Sequence, residues 1–275
     1  QPPEESDKDR EAQEFGKEIT RLVNGITKLG KIKYRGAERQ VENLRKMFIA
    51  MAEDIRVVLI KLAARLHNMR TLEHVPEYKR KRIADETLEI YAPLSDRLGM
   101  WRLKGILEDL AFPYSFKEQY QELSPKVRNR LAKKEAYLAK VKSKLKKELA
   151  AQGIEVTKID SRLKHIFSIY KKLKERGDND IESINDLVAA RIIVKNVGDC
   201  YAALGIIHKL WTPVPGKVKD YIALPKPNGY QSLHTTVFCD DGEITEFQIR
   251  TEKMDYEAKH GIAAHWAYSE AGKPK

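Results

Sequence analysis

Apolar residues recur at helical spacing through the first 115 residues of the chain. They follow every third or fourth position in 15–26 and again in 40–70, where they form one broad stripe. Pro76 opens a further helical segment, and the same spacing continues to residue 112. No segment before residue 115 alternates like a strand, so the pattern predicts an all-α N-terminal part.

The pattern changes after residue 115. Ser124-Pro125 is typical of a helix start and predicts a basic helix that runs to Gly153. Beyond it, alternating segments predict strands at 154–159, 186–194, 235–238 and 244–249, and helical spacing predicts helices at 161–176, 199–210 and 254–270. Asp240-Asp241-Gly242 joins the last two strands as a hairpin turn. The order of elements predicts an α+β protein.

Composition narrows the class of protein. The 275 residues are 42% hydrophobic and 33% charged, which allows two domains with packed cores. No apolar run approaches the ~18 residues that a membrane span needs. The first fourteen residues are polar and acidic, and Cys200 and Cys239 form no C-x-x-C pair. We therefore expect a cytoplasmic protein with reduced thiols.

The positive charge is concentrated in one segment. The chain has 51 Lys+Arg and 40 Asp+Glu, but residues 124–176 alone carry 17 basic and 5 acidic side chains. Such a field attracts the phosphates of nucleotides, nucleic acid or a membrane surface. For 126–147, where Tyr137 is the only aromatic residue, an ordinary solvated helix face is the favoured alternative.

Candidate catalytic groups lie on two predicted strands. Alternation places Glu246, Gln248 and Arg250 on one face of the last strand, where they either line a site or face water. By itself, the alternation favours the solvent-facing alternative. Asp186 begins an otherwise apolar strand, as a metal ligand or as a turn residue. Together, Asp186 and Glu246 could hold Mg²⁺, which prefers oxygen ligands.

Cations and one aromatic ring surround these acids in the predicted arrangement. Pro225 to Tyr230 form a rigid loop that presents Lys226 and Tyr230, a ring that either stacks on a base or packs within the loop. Arg162 and Lys164 lie at a predicted helix start, which suits a phosphate chain. Acids, cations and a stacking ring together indicate a nucleotide phosphotransfer site. The sequence has no P-loop, G-x-G-x-x-G or H-E-x-x-H motif.

Several motifs resemble one family. SRLKHIFSIYKKL, NDLVAARIIV, PGKVKDYIALPKPNGYQSLHTTV, EFQIRTEKM and GIAAHWAY resemble the (p)ppGpp synthetase domain of the RelA/SpoT homologues over about 150–270. ENLRKMFIAMAEDIRVVLIKLAARLHNMRTL resembles the later portion of that family's HD-type hydrolase domain. The resemblance implies a degenerate hydrolase-like domain at 1–115, a basic linker helix at 116–153, and a nucleotidyltransferase-like synthetase domain at 154–275.

The resemblance also implies a reaction and its residues. ATP would donate pyrophosphate to the 3′-hydroxyl of GDP or GTP and leave as AMP. Asp186 and Glu246 match the metal-binding and catalytic acids, with Mg²⁺ as cofactor. The matches to ATP-side cations are Arg162, Lys164 and Lys172; those to the guanosine nucleotide are Tyr230, Lys219, Lys226, Asn228, Gln231 and His234.

Departures from the family pattern concern both halves. Ala64 replaces a metal-binding Asp of the hydrolase, while Asn68 and Thr71, which would contact the hydrolase substrate, remain. The hydrolase's His-Asp pair would precede residue 15, so we expect no hydrolase activity. In the synthetase half, Lys217 replaces an Arg. A His and a Glu that usually precede GIAAHW are replaced by Asp255 and Lys259.

Three hypotheses follow for the chain. The first is a (p)ppGpp synthetase whose hydrolase half acts as a scaffold. The second is a catalytically impaired, nucleotide-binding regulatory module, and the third is an RNA-binding module built on 124–176. Full-length family members associate with the ribosome and uncharged tRNA through a region that would follow Lys275, and no membrane contact is expected.

Overall fold

The structure is a computed structural model of the 275-residue chain. It describes residues 13–30, 49, 54–177, 180–181, 184 and 187–264, apart from the side chains of Lys133, Val188 and Asp241. The chain divides into two compact units, residues 1–95 and 96–275.

The first unit is helical wherever it is described. Its elements, with α4 running into the second unit, are α1 (Lys17–Gly30), α2 (Ile55–Arg70), a 3₁₀ turn (Leu72–His74), α3 (Glu77–Glu86), a π-helical turn (Thr87–Tyr91) and α4 (Ala92–Arg97). The carboxylate of Asp54 caps α2 by accepting the backbone N–H of Arg56 at 3.0 Å. The predicted helix over 40–70 is therefore described only from its last cap onward.

The second unit combines helices with a mixed sheet. Its elements are α5 (Trp101–Ser115), α6 (Lys117–Ala151), β1 (Val156–Leu163), α7 (Ile166–Arg176), β2 (Val188–Val194), α8 (Val197–Leu210), β3 (Thr212–Pro213), β4 (Lys219–Asp220), β5 (Leu233–Phe238), β6 (Ile244–Thr251) and α9 (Glu252–His260). The strand order is β1-β2-β6-β5-β3, and β4 also pairs with β5. Only β2 and β6 run parallel among these described pairs.

The two faces of this sheet have opposite character. On one face, Ile192, Phe247 and Ile249 are fully buried, and α6 and α8 pack on the sheet. The other face carries Arg191 beside Gln248, because the parallel register of β2 and β6 aligns these two residues. Side chains alternate between faces along a strand, so the apolar face fixes the polar one.

An aromatic cluster joins three helices of the second unit. Phe112 of α5 has no exposed surface, and its ring centroid lies 5.2 Å from that of Phe167 and 4.9 Å from that of Tyr170. Phe116 and Tyr120 close the cluster from the α5–α6 junction. Because α7 carries two of these rings, α5 and α7 pack as one body.

The α+β prediction is confirmed: a helical N-terminal region precedes a mixed sheet covered by helices. The predicted hairpin is also present, since β5 and β6 pair antiparallel around a single 3₁₀ turn at Asp240–Gly242. No helix in the described part of the chain is long and apolar enough to cross a membrane.

Two predicted helix starts are wrong. α6 begins at Lys117 and continues through Pro125, because buried Leu123 and Val127 hold that turn against the unit despite the lost backbone bond. The helix predicted over 161–176 begins only at Ile166. Strand pairing of Arg162 with Ala189 extends β1 to residue 163, so Arg162 lies on a strand instead of a helix start.

The ends of the second unit also differ from the pattern. α9 stops at His260 because Gly261 adopts a positive φ of 56°, and Ile262 N donates to Leu98 O at 2.9 Å. The remainder of the helix predicted over 254–270 lies beyond residue 264, outside the described residues. α5 belongs to the second compact unit, whereas the functional division at 115 and 153 stays a prediction.

Replacing Leu145 with Ala tests whether the basic helix α6 supports the sheet instead of linking domains. Leu145 has no exposed surface. We expect Leu145→Ala to lower the free energy of unfolding by about 2–5 kcal/mol through lost burial and a cavity. Leu224→Ala, at a side chain that is 78% exposed, is the matched control and should change it by less than about 0.5 kcal/mol.

Urea unfolding followed by tryptophan fluorescence measures this difference, because all three tryptophans of the chain lie within residues 96–275. Equal midpoints for the two variants would mean that α6 does not support the sheet.

Candidate functional site

A cavity of about 730 Å³ lies on the polar face of the sheet in the second unit. Its walls come from β1, β2, β5 and β6, with α5 and α9 at its sides. Eight cationic side chains line it: Arg102, Lys158, Arg162, Lys164, Arg191, Lys226, Arg250 and Lys259. Asp160 and Glu246 are the carboxylates among the described lining residues. This excess of positive charge suits a ligand with several phosphates.

The cavity brings together six of the residues that the sequence singled out. They are Arg162, Lys164, Lys226, Tyr230, His234 and Glu246. Gln248 and Arg250 line it too, and each is only 3% exposed. The solvent-facing alternative for this strand face is therefore wrong, because α5 and α9 wall off that side of the sheet.

Two predicted ligand residues instead hold the surrounding loops. Asn228 Nδ2 donates to the backbone oxygen of Asp96 at 3.3 Å, and Gln231 Nε2 donates to that of Ile222 at 3.2 Å. Neither belongs to the cavity lining. These bonds fix the Pro225–Tyr230 loop that carries Lys226.

Three further predicted residues are not placed in the cavity. Lys219 is exposed on β4, opposite His234 in the strand register. Lys172 is half-buried on α7 outside the lining. Asp186 lies outside the described residues, so the structure gives it no position.

One amide links the acid of the site to a cation. Gln248 Nε2 donates to Glu246 Oε1 at 2.8 Å, and Arg162 Nη1 donates to Gln248 Oε1 at 3.0 Å. A carboxamide offers a donor and an acceptor on one plane, so it can bind a carboxylate and a guanidinium at once. The orientations of Glu246 and Arg162 are therefore coupled.

His234 extends this chain of contacts to Tyr230. His234 Nδ1 lies 3.3 Å from Glu246 Oε1, and Nε2 lies 2.8 Å from the Tyr230 hydroxyl. Burial lowers the pKa of His234, and the nearby Arg162 and Lys226 lower it further against the opposing effect of Glu246. A neutral imidazole with its proton on Nδ1 satisfies both neighbours, as donor to Glu246 and acceptor from Tyr230.

Tyr230 is packed among other rings and is 8% exposed. Its ring centroid lies 5.7 Å from that of Trp101 and 6.1 Å from that of Tyr221. Lys226 Nζ lies 5.3 Å from the same ring, and burial together with the neighbouring Lys219 lowers the pKa of Lys226. The ring therefore joins the loop, the cation and α5 in one cluster.

Arg191 is a lining residue that the sequence analysis missed. Its guanidinium makes two 2.9 Å hydrogen bonds to Asp160. Burial raises the pKa of Asp160, but the bonds from Arg191 and Lys158 outweigh burial and hold it below its usual value. A single arginine inside the apolar run Val188–Val194 was the available signal, because a charge there needs a partner or a ligand.

Asp255 and Lys259, the two departures near the C-terminal helix, pair with each other. Lys259 Nζ lies 2.5 Å from Asp255 Oδ2, and Arg250 Nη2 lies 2.8 Å from Asp255 Oδ1. Burial lowers the pKa of the Arg250 guanidinium, so a nearby carboxylate is required to keep it charged. The substitutions therefore preserve an ion pair one helical turn apart on α9.

Part of the basic segment is already engaged within the second unit. Lys134 Nζ lies 2.6 Å from Glu243, and Lys144 Nζ lies 2.8 Å from Asp240. The apolar side of α6 is buried at Leu138, Val141, Leu145 and Leu149. These contacts are the ordinary structural use of a basic helix, and nothing in them selects RNA.

The residues of the degenerate hydrolase site lie on or next to α2 in the first unit. Ala64 and Asn68 are exposed, and the Thr71 hydroxyl donates to the backbone oxygen of His67 at 3.1 Å. Among the described residues, no group of three or more His, Cys, Asp or Glu side chains could hold a metal ion.

Two family models match the chain in succession. Residues 161–273 match a region found in RelA/SpoT proteins, and residues 3–101 match the HD domain. The first match contains β2, β5 and β6 with their cavity residues, and the second contains α1 to α4.

Curated relatives match over nearly the whole chain. The guanosine-3′,5′-bis(diphosphate) 3′-pyrophosphohydrolase of Aquifex aeolicus is 52% identical over 94% of this chain and 37% of the relative. The GTP pyrophosphokinase of Myxococcus xanthus is 49% identical over 93% and 34%. The small alarmone synthetase 2 of Bacillus subtilis is 28% identical, with a TM-score of 0.41, over 54% of this chain and 83% of that one.

This chain spans about a third of the length of these curated relatives, 37% and 34% of the two above. Both family matches and the sequence identity over nine-tenths of its residues agree. The chain belongs to the RelA/SpoT family.

Proposed function

We propose that the second unit transfers pyrophosphate from ATP to the 3′-hydroxyl of GDP or GTP, forming (p)ppGpp and AMP. The observation that carries this proposal is the placement of Glu246 among eight cations on one walled face of the sheet. Joining two polyphosphates requires their mutual repulsion to be cancelled, and that is what clustered cations can do. The name of the M. xanthus relative, GTP pyrophosphokinase, supports the same reaction.

Glu246 is the proposed general base. Its carboxylate would take the proton of the 3′-hydroxyl as the hydroxyl oxygen bonds to the β-phosphorus of ATP and the bond to the α-phosphate oxygen breaks. Gln248 and His234 both approach Glu246 Oε1, at 2.8 and 3.3 Å, and fix the direction of the carboxylate. A base held in one orientation needs no search for the attacking geometry.

The ATP side of the cavity is assigned to the end of β1 and the turn after it. Arg162 and Lys164 come from this segment, and Lys172 follows on α7. They would hold the phosphate chain and balance the charge that develops on the departing AMP. Arg191, held by Asp160 on the neighbouring strand, adds a cation to the same wall.

The guanosine side is assigned to the loop before β5 and to β5 itself. Lys226 and His234 line the cavity there, with Tyr230 between them in the chain. Lys219, Asn228 and Gln231 surround this loop and would act by holding it. Stacking of guanine on Tyr230 requires movement of Trp101 or Lys226, because the ring is 8% exposed.

The donor set at the cavity fits Mg²⁺. This ion is usually bound by one or two carboxylates together with substrate phosphates and water, so Glu246 and Asp186 would suffice as protein ligands. Bound Mg²⁺ would neutralise phosphate charge and orient the β-phosphate. Asp186 precedes β2 by two positions in the sequence, and β2 is the parallel neighbour of the strand that carries Glu246.

Replacing Glu246 with Gln tests the base. With ATP, GDP and Mg²⁺, we expect the unaltered protein to form AMP and ppGpp. Glu246→Gln should lower the rate by about 10²–10⁴-fold, because the amide keeps the size of the side chain but cannot take a proton. Chromatography of the nucleotides measures the rate, and calorimetry should find nucleotide binding largely intact.

Glu243→Gln, three positions earlier at an exposed site on the hairpin, is the matched control and should retain normal turnover. Normal turnover in Glu246→Gln would remove this residue from the mechanism. Absence of AMP and ppGpp with the unaltered protein would overturn the proposed reaction and favour a nucleotide-binding regulatory module.

Two substitutions at Tyr230 separate its ring from its hydroxyl. Tyr230→Ala should raise KM for GDP by about 5- to 150-fold, since stacking is worth ~1–3 kcal/mol per base, with a smaller effect on ATP. Tyr230→Phe keeps the ring and should keep KM for GDP near normal, although it loses the 2.8 Å contact with His234. Steady-state kinetics with each nucleotide varied in turn measures both effects. An equal rise in both KM values for Tyr230→Ala would show that the ring is only structural.

We also propose that the first unit does not hydrolyse (p)ppGpp, unlike what the name of the A. aeolicus relative states for that protein. Ala64 has a methyl group where the family pattern has a metal-binding carboxylate, and a methyl group has no lone pair. We expect no release of pyrophosphate from ppGpp with Mn²⁺, and Ala64→Asp alone should not restore it. Phosphate-release assays test this, with the A. aeolicus relative as positive control. Mn²⁺-dependent hydrolysis by the unaltered chain would contradict the proposal.

A further inference from the structure

Helix α5 lines the nucleotide cavity although it lies between the two family matches, which end at residue 101 and begin at residue 161. Trp101, Arg102 and Ile106 of α5 form part of the wall. One turn further along the same helix, Glu108 and Asp109 face α7. The cavity therefore depends on a helix that the sequence analysis assigned to the other domain.

Asp109 makes two contacts with the start of α7. Its Oδ2 lies 2.7 Å from Nδ1 of His165, and its Oδ1 accepts the backbone N–H of Phe167 at 3.1 Å. His165 is the N-cap residue of α7 but makes no side-chain capping bond. The carboxylate of α5 therefore supplies the acceptor that α7 lacks, and it bears a charge that favours this helix end.

Further contacts hold the same two helices together. Lys171 Nζ lies 2.7 Å from Glu108 Oε1, and the side chain of Glu108 is 6% exposed. Phe112 packs against Phe167 and Tyr170, as described above. Asp109 thus acts from a rigid platform, and a substitution there leaves these other contacts in place.

The segment held by Asp109 is the one that presents the ATP-side cations. Arg162 ends β1, Lys164 follows in the turn, and His165 both lines the cavity and binds Asp109. On the opposite side, the backbone N–H of Lys164 donates to Leu187 O at 2.9 Å. The turn is therefore fixed at two points, by the chain just before β2 and by α5.

We propose that Asp109 is a positioning residue for the ATP subsite, acting through His165 and the amino end of α7 on Arg162 and Lys164. This inference rests on the proposed function, because it takes those cations as the ATP-binding group. It assigns to α5 a role in binding ATP and none in binding the guanosine nucleotide. Loss of Asp109 would let the turn shift, and a shift of about 1 Å in a binding group can cost up to 10²-fold.

Four substitutions test this with matched pairs. Asp109→Ala removes both contacts and should raise KM for ATP by about 10-fold or more, with KM for GDP changed less than about 2-fold. Asp109→Asn keeps an oxygen acceptor and should recover most of the loss. His165→Phe should behave like Asp109→Ala, whereas His165→Asn, whose amide can take the place of Nδ1–H, should recover. Glu122→Ala, an exposed acid on α6 paired with Lys126, is the control and should leave both KM values unchanged.

Calorimetric titration with α,β-methylene-ATP and separately with GDP gives a readout that does not require turnover. The proposal is supported if Asp109→Ala and His165→Phe weaken the ATP analogue selectively and the conservative variants restore it. It is overturned if binding of the analogue is unchanged, or if both nucleotides weaken together as a general loss of folding would cause. If Asp109→Ala does not fold, the two His165 variants decide.

The same titration separates the two proposals. A protein that binds the analogue through Asp109 but forms no AMP would overturn the proposed reaction and keep the role of Asp109. A protein that forms ppGpp normally with Asp109→Ala would keep the reaction and overturn the role of Asp109. If the unaltered protein does not bind the analogue, both proposals fail.

Discussion

Repulsion among the cations of the cavity is the constraint on which the rest of the second unit depends. Eight positive side chains line a cavity of about 730 Å³, and desolvation penalises each of them as it is buried. Separate partners hold three of the arginines: Asp160 for Arg191, Asp255 for Arg250 and the amide of Gln248 for Arg162. These partners do not balance the whole charge, so the remaining field is available to a ligand that carries phosphates.

The sheet makes this arrangement possible by separating two kinds of packing. Alternation along β6 buries Phe247 and Ile249 against the helices of one face and directs Glu246, Gln248 and Arg250 to the other. The parallel pairing of β2 with β6 then sets Arg191 beside Gln248. A slip of one residue would exchange the two faces, so the apolar core fixes the register on which the site depends.

Local pattern was sufficient for the parts of the structure that depend on local pattern. The helical first unit, the β5–β6 hairpin and the shared face of Glu246, Gln248 and Arg250 all follow from spacing and turn residues. The resemblance to the family named Arg162, Lys164, Lys226, Tyr230, His234 and Glu246, which the cavity brings together. Where a side chain finds its neighbour only through the fold, the sequence gave less information.

Three features show that limit. Residues 161–163 have helical spacing but form a strand, because pairing with β2 outweighs local preference. Pro125 marks no helix start, because burial on both sides carries α6 through it. The contact of Asp109 with His165 joins residues 56 positions apart, and no spacing within either helix predicts it.

The central claim is that the cavity transfers a pyrophosphate group from one nucleotide to another. Position-specific labelling of ATP tests it most directly: the protein is incubated with GDP, Mg²⁺ and ATP labelled at the α-, β- or γ-phosphate, and the products are separated. The account requires the β- and γ-labels to move together into the guanosine product while the α-label appears in AMP. Movement of the γ-label alone with formation of ADP, or retention of all three labels in ATP, would contradict it.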